Sequence, residues 1–335
     1  MKEMKFIPFK SIQVFLFLII LLINLSDCRN RRRNIPMEFK DSFLEIPVTG
    51  TALERSVFFY YPEASKSRSE KIPLVLIFHG GGGSPEGMVG LDNGRLLEFA
   101  RERRFAVAYM RGYNNSWNDL REDNKAAANR DKHEDVLYTK LFLDQIMEAY
   151  QIDEKQIHAA GISNGGMFVL RLACEVPEKF LAITALTANL PSTAKDVCSP
   201  AKGTNLTIIN GSADPLVPYD GGNVIVFGRN RGEIISTSAT LEHFESFYKC
   251  SNSQTKTIHS PTESDPTEVL LSQKKCSSGS INLLKIENGG HTWPGGIVYL
   301  PEAIIGKTSN QFSASKLIAD LIKNKGKLIE KELQP

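Results

Sequence analysis

Short apolar runs alternate along the chain with longer segments in which apolar residues recur at helical spacing. Ile72–Phe78 is a continuous apolar run, which is typical of a strand buried on both faces. Runs of this kind predict strands at residues 42–48, 57–61, 72–78, 105–110, 156–160, 181–186, 206–210 and 281–286. Helical spacing predicts helices at residues 91–103, 133–150, 165–175, 241–248 and 312–322. This alternation predicts an α/β fold, in which a mainly parallel central sheet is flanked by helices.

The first 33 residues differ from the rest of the chain in charge and hydropathy. Three lysines precede an apolar stretch of 14 residues, at positions 12–25, which is shorter than the roughly 17–25 residues that span a bilayer. The pattern predicts a signal peptide at residues 1–28 and export of the protein, followed by a basic linker at residues 29–40. A single domain is expected over residues 41–328, because no repeat and no Pro/Ser-rich linker divides that part of the chain.

Two features of the leader leave alternatives open. The apolar stretch ends in Leu25-Ser26-Asp27-Cys28, which resembles a bacterial lipobox except that Asp27 stands where a small residue is expected. Lipidation of Cys28 is therefore an alternative to plain cleavage. The four arginines that follow would suit retention on the cytoplasmic side, so an uncleaved anchor is a second alternative.

Composition excludes several classes of protein. With 41% hydrophobic and 23% charged residues, the chain is too apolar to be disordered. Its net charge of +2 arises in the leader, which holds seven basic and two acidic residues. The remaining residues carry 33 basic and 36 acidic groups, a charge of about −3. We therefore expect no nucleic-acid partner, since such proteins carry an excess of basic residues.

Four cysteines follow the leader, at positions 174, 198, 250 and 276. An even number in an exported chain predicts two disulfides, for which three connectivities are possible. Pairing between sequence neighbours would close two short loops, and the polar stretch at residues 251–280 would then be a surface excursion held by the second bridge. Four buried thiols are the alternative. No His/Cys spacing of the zinc-binding kind occurs, so no metal site is expected.

The pentapeptide Gly161-Ile162-Ser163-Asn164-Gly165 has the pattern G-x-S-x-G and lies between a predicted strand and a predicted helix. That is the strand–turn–helix setting of a nucleophile elbow. Glycines let the backbone pass closely around the serine, and the N-terminus of the following helix favours developing negative charge. The pattern predicts Ser163 as a nucleophile, with an idle serine in a tight glycine turn as the alternative.

A second glycine-rich segment, His79-Gly80-Gly81-Gly82-Gly83, follows the buried strand at residues 72–78. It resembles the HGGG-type loop that supplies a main-chain N–H to an oxyanion hole. We expect one donor from Asn164 and the other from Gly81 or Gly82, each contributing roughly 10²–10³-fold in rate. His79 is expected to orient the loop. A phosphate-binding loop would continue with Gly-Lys-Ser/Thr, which is absent from this segment.

An acid and a histidine should follow the serine in that order. Asp214 follows the predicted strand at residues 206–210, where ligand sites form in open α/β sheets, and Asp220 is the second choice. His291 lies in a glycine-rich segment after a late strand. The other two later histidines, His243 and His259, lie in a predicted helix and in the polar excursion.

These positions predict a catalytic triad. Ser163 would be the nucleophile, His291 the general base and then the general acid, and Asp214 the group that orients the imidazole and stabilises its cation.

In combination, five stretches of the chain resemble one known family: residues 78–83, 117–119, 161–167, 214–222 and 289–296. Over residues 40–325 the chain is similar to the secreted α/β-hydrolases that include polyhydroxybutyrate depolymerases and feruloyl and acetyl-xylan esterases. The resemblance implies an α/β-hydrolase fold, ester hydrolysis through an acyl-serine intermediate, and neither metal nor organic cofactor.

The resemblance also bears on residues outside the triad. It implies that Cys174 is linked to Cys198 and Cys250 to Cys276. By their positions Trp117 and Trp293 are candidate substrate-facing aromatics, and the alternative is that both pack in the core.

The expected substrate is a small or oligomeric ester. Depolymerases that act on solid polyester usually carry a further linker and a polymer-binding domain, whereas 44 residues follow His291 here. Hydroxybutyrate oligomers and feruloyl- or acetyl-sugars remain open. A serine peptidase of the same fold and a catalytically inactive binding protein are the alternative functions. We expect a secreted or periplasmic protein, whose membrane contact is limited to the leader or to a lipid on Cys28.

Overall fold

The computed structural model describes residues 35–333, apart from residues 41, 52, 67–68, 123 and 252–254. The predicted signal peptide, most of the basic linker and the alternatives for Cys28 lie outside the described residues.

A ten-stranded sheet forms the centre of the molecule, and a two-stranded hairpin stands beside it. The strands are β1 (Phe43–Val48), β2 (Arg55–Tyr60), β3 (Ile72–Phe78), β4 (Ala106–Met110), β5 (Ile152–Ile162), β6 (Ala182–Leu186), β7 (Asn205–Gly211), β8 (Gly222–Val226), β9 (Arg229–Ile234), β10 (Thr255–His259), β11 (Glu268–Lys275) and β12 (Ser280–Glu287). The order in the sheet is β1-β2-β4-β3-β5-β6-β7-β12-β11-β10. Its six central strands, β4 to β12 in that order, are parallel, and the pairings outside them are antiparallel.

Helices cover both faces of this sheet. They are α1 (Glu63–Lys66), α2 (Pro85–Leu91), α3 (Arg95–Arg103), α4 (Ala127–Arg130), α5 (Asp135–Ala149), α6 (Asn164–Glu175), α7 (Thr237–Tyr248), α8 (Glu302–Ile305) and α9 (Ala314–Lys323). Residues of α5, α6 and α7 form one core with alternate residues of β3, and residues of α2, α3 and α9 form a second core with the intervening ones. Because both faces are covered, every residue of β4 and β6 is buried. The predicted α/β-hydrolase architecture is confirmed.

The polar stretch at residues 251–280 is not the surface excursion that its composition predicts. It contains β10 and β11, which extend the sheet by two antiparallel strands beyond β12. Along β11 only Val269 and Leu271 are fully buried, because one face of this outer strand packs on the core and the other meets solvent. Because one face of β11 is exposed to solvent, the strand carries many polar residues. Its composition therefore resembles that of a surface loop.

Two disulfides link sequence neighbours. Cys174, near the end of α6, is bonded to Cys198, and Cys250, just after α7, is bonded to Cys276, just after β11. The connectivity that the family resemblance implies is therefore confirmed. Loops of this size, with sequence separations of 24 and 26, lower the entropy of the unfolded chain, and each contributes about 3 kcal/mol of stability.

None of the helices in the described part of the chain has the length and apolar surface needed to cross a bilayer.

Candidate active site

Ser163 lies in a tight turn between β5 and α6. Its backbone has φ 57° and ψ −123°, a conformation that non-glycine residues rarely adopt. Flanking glycines are needed for this turn: a Cβ on Gly161 would lie 2.3 Å from the carbonyl oxygen of Gly165, and a Cβ on Gly165 would lie 2.3 Å from that of Phe78. The pentapeptide therefore folds into the strained strand–turn–helix arrangement that its sequence predicts.

Asp214 and His291 are brought together because β7 and β12 are adjacent parallel strands, and both residues lie beyond the carboxyl ends of these strands. His291 Nδ1 and Asp214 Oδ2 are 2.7 Å apart, and the two side chains are only 6% and 2% exposed. Since Nδ1–H donates to the carboxylate, Nε2 carries the lone pair of the neutral imidazole.

Further hydrogen bonds hold both members of this pair. Asp214 Oδ1 accepts hydrogen bonds from the N–H groups of Leu216 and Val217, at 2.8 Å each. On the histidine side, the Tyr299 hydroxyl donates to the His291 carbonyl oxygen at 2.7 Å. Burial, together with the nearby Asp214 carboxylate, raises the pKa of Tyr299, so its hydroxyl stays a donor. The main chain therefore engages Asp214 Oδ1, and Oδ2 accepts the hydrogen bond from the imidazole.

Among the described residues, the Ser163 hydroxyl makes no hydrogen bond, so the structure brings His291 to Asp214 but does not close the contact between His291 and Ser163. Catalytic hydrogen bonds often tighten only when substrate is bound.

The segment at residues 79–83 lies directly against the elbow. A Cβ on Gly80 would be 3.5 Å from Ser163 Cβ, and a Cβ on Gly81 would be 3.7 Å from Asn164 Cβ. Gly82 N–H donates to the Asn115 carbonyl oxygen at 2.7 Å, and this bond engages it away from a ligand. Of the two glycines predicted from sequence, Gly81 is therefore the one whose N–H suits an oxyanion.

His79 orients this loop, as its position predicts. Its Nδ1–H donates to the carbonyl oxygen of Gly80 at 2.8 Å, and its Nε2 accepts from Gly112 N–H at 3.0 Å. Both ring nitrogens have partners, which fixes the ring and leaves no role for it as a proton carrier.

The side chain of Asn164 is bound to a different loop. Its Oδ1 accepts from Trp117 N–H at 2.8 Å, and its Nδ2 donates to the Trp117 carbonyl oxygen at 2.9 Å and to Asp119 Oδ2 at 2.6 Å. Asp119 is fully buried and forms an ion pair with Arg121, whose guanidinium lies 2.7 Å away. Roles for Asp119 and Arg121 are not predicted from the sequence, although residues 117–119 are one of the stretches that carry the family resemblance.

Both tryptophans are buried in the core, which is the alternative to the substrate-facing role that their positions suggest. Trp117 is fully buried, with its indole stacked on Phe168, and Trp293 is 2% exposed, with its Nε1–H donating to Ser315 Oγ at 3.0 Å. An indole can bury its ring and satisfy its single donor inside the protein, so a tryptophan beside an active-site motif does not have to line the site.

The remaining candidate acid and histidines have other places. Asp220 is exposed, while Asp214 holds the imidazole. The Nε2 atoms of His243 and His259 bond to the carbonyl oxygens of Cys198 and Leu333, at 2.9 and 2.5 Å. In the described part of the chain, no group of three or more His, Cys, Asp or Glu residues is arranged to hold a metal ion.

The hairpin of β8 and β9 lies beside the acid loop and was not predicted from sequence. Ile225 N–H donates to the Leu216 carbonyl oxygen at 3.2 Å, and this bond ties the hairpin to the loop that holds Asp214. Ile225 and Phe227 near its tip are 41% and 73% exposed.

Comparisons with known proteins place the chain in a family. Residues 50–247 match the model of the Esterase family, whose description is "Putative esterase". The chain is 29% identical over 266 residues to "Putative esterase NocK" of Nocardia uniformis subsp. tsuyamanensis, a match that covers 75% of this chain and 74% of the relative. It is 26% identical over 161 residues to feruloyl esterase B of Piromyces equi, covering 47% of this chain and 29% of the relative.

Two further comparisons involve acetyl-xylan esterases. The bifunctional acetylxylan esterase/xylanase XynS20E of Neocallimastix patriciarum is 23% identical over 245 residues, which cover 71% of this chain and 31% of the relative. Among solved structures, the acetyl xylan esterase from Aspergillus awamori has a TM-score of 0.49 and 14% identity, covering 71% of this chain and 89% of that one. Because the family model spans more than half of the sequence, the chain belongs to the Esterase family, and it is an ester hydrolase.

Proposed function

We propose that the protein is an exported serine esterase, which cleaves carboxylic esters through an acyl-serine intermediate. The observation that carries the proposal is the arrangement of three groups at the carboxyl edge of one sheet. Ser163 occupies the strained elbow, His291 is paired with Asp214 at 2.7 Å, and the Gly81 loop lies against the elbow.

The first half of the reaction acylates the serine. Ser163 Oγ attacks the ester carbonyl carbon while His291 Nε2 takes its proton, and Asp214 stabilises the imidazolium through Nδ1–H. The main-chain N–H groups of Gly81 and Asn164 bind the oxyanion of the tetrahedral intermediate, where charge develops only in the transition state. Collapse breaks the bond to the alcohol oxygen, which leaves with the proton from His291.

The second half releases the acid. A water molecule attacks the acyl-serine carbonyl, His291 again accepts the proton, and the second tetrahedral intermediate collapses to return that proton to Ser163. The balance is one ester and one water to one alcohol and one acid.

The proposed substrate is a soluble feruloyl or acetyl ester of a sugar, with hydroxybutyrate oligomers as the second choice. The names of the fungal relatives, a feruloyl esterase and a bifunctional acetylxylan esterase, support this order. The chain spans about a third of the length of these two relatives, so their whole activity is not transferred. Two disulfides support an oxidising compartment outside the cytoplasm.

The test is hydrolysis of p-nitrophenyl acetate by the wild type and by Ser163→Ala, with the matching p-nitroanilide as the amide. We expect release of nitrophenol by the wild type, loss of at least roughly 10³-fold in the variant, and little cleavage of the amide. Equal rates for both proteins would overturn the serine mechanism, and faster cleavage of the amide would indicate a peptidase. Methyl ferulate, acetylated xylan and hydroxybutyrate oligomers assayed in parallel would then identify the substrate class.

A further inference from the structure

Residues 112–119, which include Trp117, contact both parts of the proposed oxyanion hole. These parts are the glycine loop at residues 79–83 and the elbow at Ser163 and Asn164. Toward the glycine loop this segment makes three hydrogen bonds. Gly112 N–H donates to His79 Nε2 at 3.0 Å, the Trp117 indole N–H donates to the His79 carbonyl oxygen at 2.9 Å, and the Asn115 carbonyl oxygen accepts from Gly82 N–H at 2.7 Å. These bonds lie on either side of Gly81 along the chain, and they therefore restrict where its N–H can point.

On the side of the elbow, residues of the same segment form hydrogen bonds with the side chain of Asn164. Asn164 Oδ1 and Nδ2 bond to the N–H and the carbonyl oxygen of Trp117 at 2.8 and 2.9 Å, so that the side-chain amide pairs with one residue of main chain much as a neighbouring strand would. Asp119 Oδ2 accepts a further bond from Asn164 Nδ2. Because a carboxylate can only accept, this contact fixes the amide in one orientation.

Within the described chain, Trp117 bonds both to Asn164 of the elbow and to His79 of the glycine loop. Its main chain holds Asn164 at the start of α6, and its indole holds His79, which begins the glycine loop. The ring packs in the same way across the two elements: it is stacked on Phe168 of α6 and edge-on to Phe78 at the end of β3, with centroids 5.3 and 5.0 Å away. The side chain is fully buried, and a rigid indole in a dense core transmits displacement rather than absorbing it.

We propose that Trp117 is a positioning residue that sets the separation between the main-chain N–H groups of Gly81 and Asn164. This inference rests on the proposed function, which assigns those two groups to the oxyanion. Asp119 supports it by holding the amide of Asn164, and Arg121, paired with Asp119 at 2.7 Å, compensates the charge of the buried carboxylate.

The energetic reason is the steep dependence of oxyanion stabilisation on geometry. A donor must lie about 2.7–3.1 Å from the oxygen as it becomes charged, and removal of one donor costs roughly 10²–10³-fold in kcat. A change that displaces one donor without removing it should lower kcat by a smaller factor, about tenfold. It should leave KM nearly unchanged, because the ground-state ester makes weaker use of the same donors.

The test compares Trp117→Phe with Tyr248→Phe. Trp117→Phe keeps an aromatic ring in the core, removes the indole N–H that bonds to His79 and leaves a small cavity where the second ring was. Tyr248→Phe is the matched control: it removes an equally buried hydroxyl that contacts Thr204 Oγ1 at 3.2 Å, next to the amino end of β7 and so at the opposite edge of the sheet. Kinetics with p-nitrophenyl acetate, inhibition by a trifluoromethyl ketone and thermal unfolding are measured for each.

We expect Trp117→Phe to lower kcat about tenfold with KM within about twofold, and to weaken the trifluoromethyl ketone by the same factor as kcat. Tyr248→Phe should lose some stability through the deleted hydroxyl and keep the wild-type kcat. Wild-type kcat in a folded Trp117→Phe would overturn the inference, as would an equal loss of kcat in Tyr248→Phe. If Trp117→Phe does not fold, Asp119→Asn, which removes one acceptor for Asn164, is held to the same criteria. An active Ser163→Ala would contradict the proposed function itself, whereas an inactive Ser163→Ala with a normal Trp117→Phe would contradict only the positioning role.

Discussion

His158 is a buried histidine whose protonation should be coupled to folding. It lies in the middle of β5, beside Val75 on one neighbouring strand and Ala182 on the other. It is 3% exposed, and its Nε2 has no hydrogen-bond partner among the described residues. Burial in this apolar place disfavours the imidazolium and lowers the pKa of His158 from 6.5 to about 3.

The sign and size of the coupling follow from that shift. Between pH 6.5 and 3 the unfolded chain binds a proton at this histidine and the folded protein does not, so the contribution of His158 to stability falls as the pH falls. Each pH unit below 6.5 costs about 1.4 kcal/mol, and the cost at pH 4.5 is therefore about 3 kcal/mol. Above pH 7 the contribution vanishes, because the histidine is neutral in both states.

Replacement of His158 by leucine, which is of similar volume, removes this titration. Urea unfolding followed by tryptophan fluorescence gives the free energy of unfolding of both proteins at pH 7.5 and pH 4.5. The other titrating groups are shared and cancel in the difference between the two proteins. We expect that difference to move by about 3 kcal/mol in favour of His158→Leu on acidification. The same difference at both pH values would show that His158 binds its proton equally in the folded and unfolded states, and would contradict this coupling.

Two further predictions concern other buried groups. Asp214→Asn should lower kcat for p-nitrophenyl acetate by about 10³–10⁴-fold with little change in KM, because the amide no longer selects the Nδ1–H tautomer of His291; a loss below tenfold would show that the pair is not catalytic. Asp92, which accepts hydrogen bonds from Gly94 N–H, Leu96 N–H and the Ser315 hydroxyl, has the opposite coupling to His158, because burial raises its pKa to about 6. Its folded form takes up the proton first, so its contribution to stability falls by about 3 kcal/mol as the pH rises from 4 to 7. The difference in unfolding free energy between wild type and Asp92→Asn should therefore move by about 3 kcal/mol in favour of the variant over that range, and a constant difference would contradict the assignment.

The local parts of the site could be predicted from the sequence because they are encoded by neighbouring residues. Gly161 and Gly165 are needed at contacts of 2.3 Å within the turn around Ser163, and such contacts leave a readable pattern. The positions of Asp214 and His291 followed from the strands that precede them, since adjacent parallel strands end at the same edge of the sheet.

The parts that were missed depend on partners that are distant in sequence. Trp117 bonds to His79, 38 positions away, and Asp119 bonds to Asn164, 45 positions away. No local pattern distinguishes an indole that lines a pocket from one that joins two loops. The outer strand β11 was missed for a different reason. Its solvent-exposed face carries polar residues, so that its composition resembles that of a loop.

The proposed mechanism requires that Ser163 carry the acyl group during turnover. The most direct measurement is mass spectrometry of the wild type quenched in acid during hydrolysis of p-nitrophenyl acetate, with peptide mapping after proteolysis. We expect the mass of one acetyl group on the peptide that contains Ser163 in the wild type, and none in Ser163→Ala. Turnover of the ester by the wild type with the acetyl group on another residue, or by Ser163→Ala at an equal rate, would contradict it.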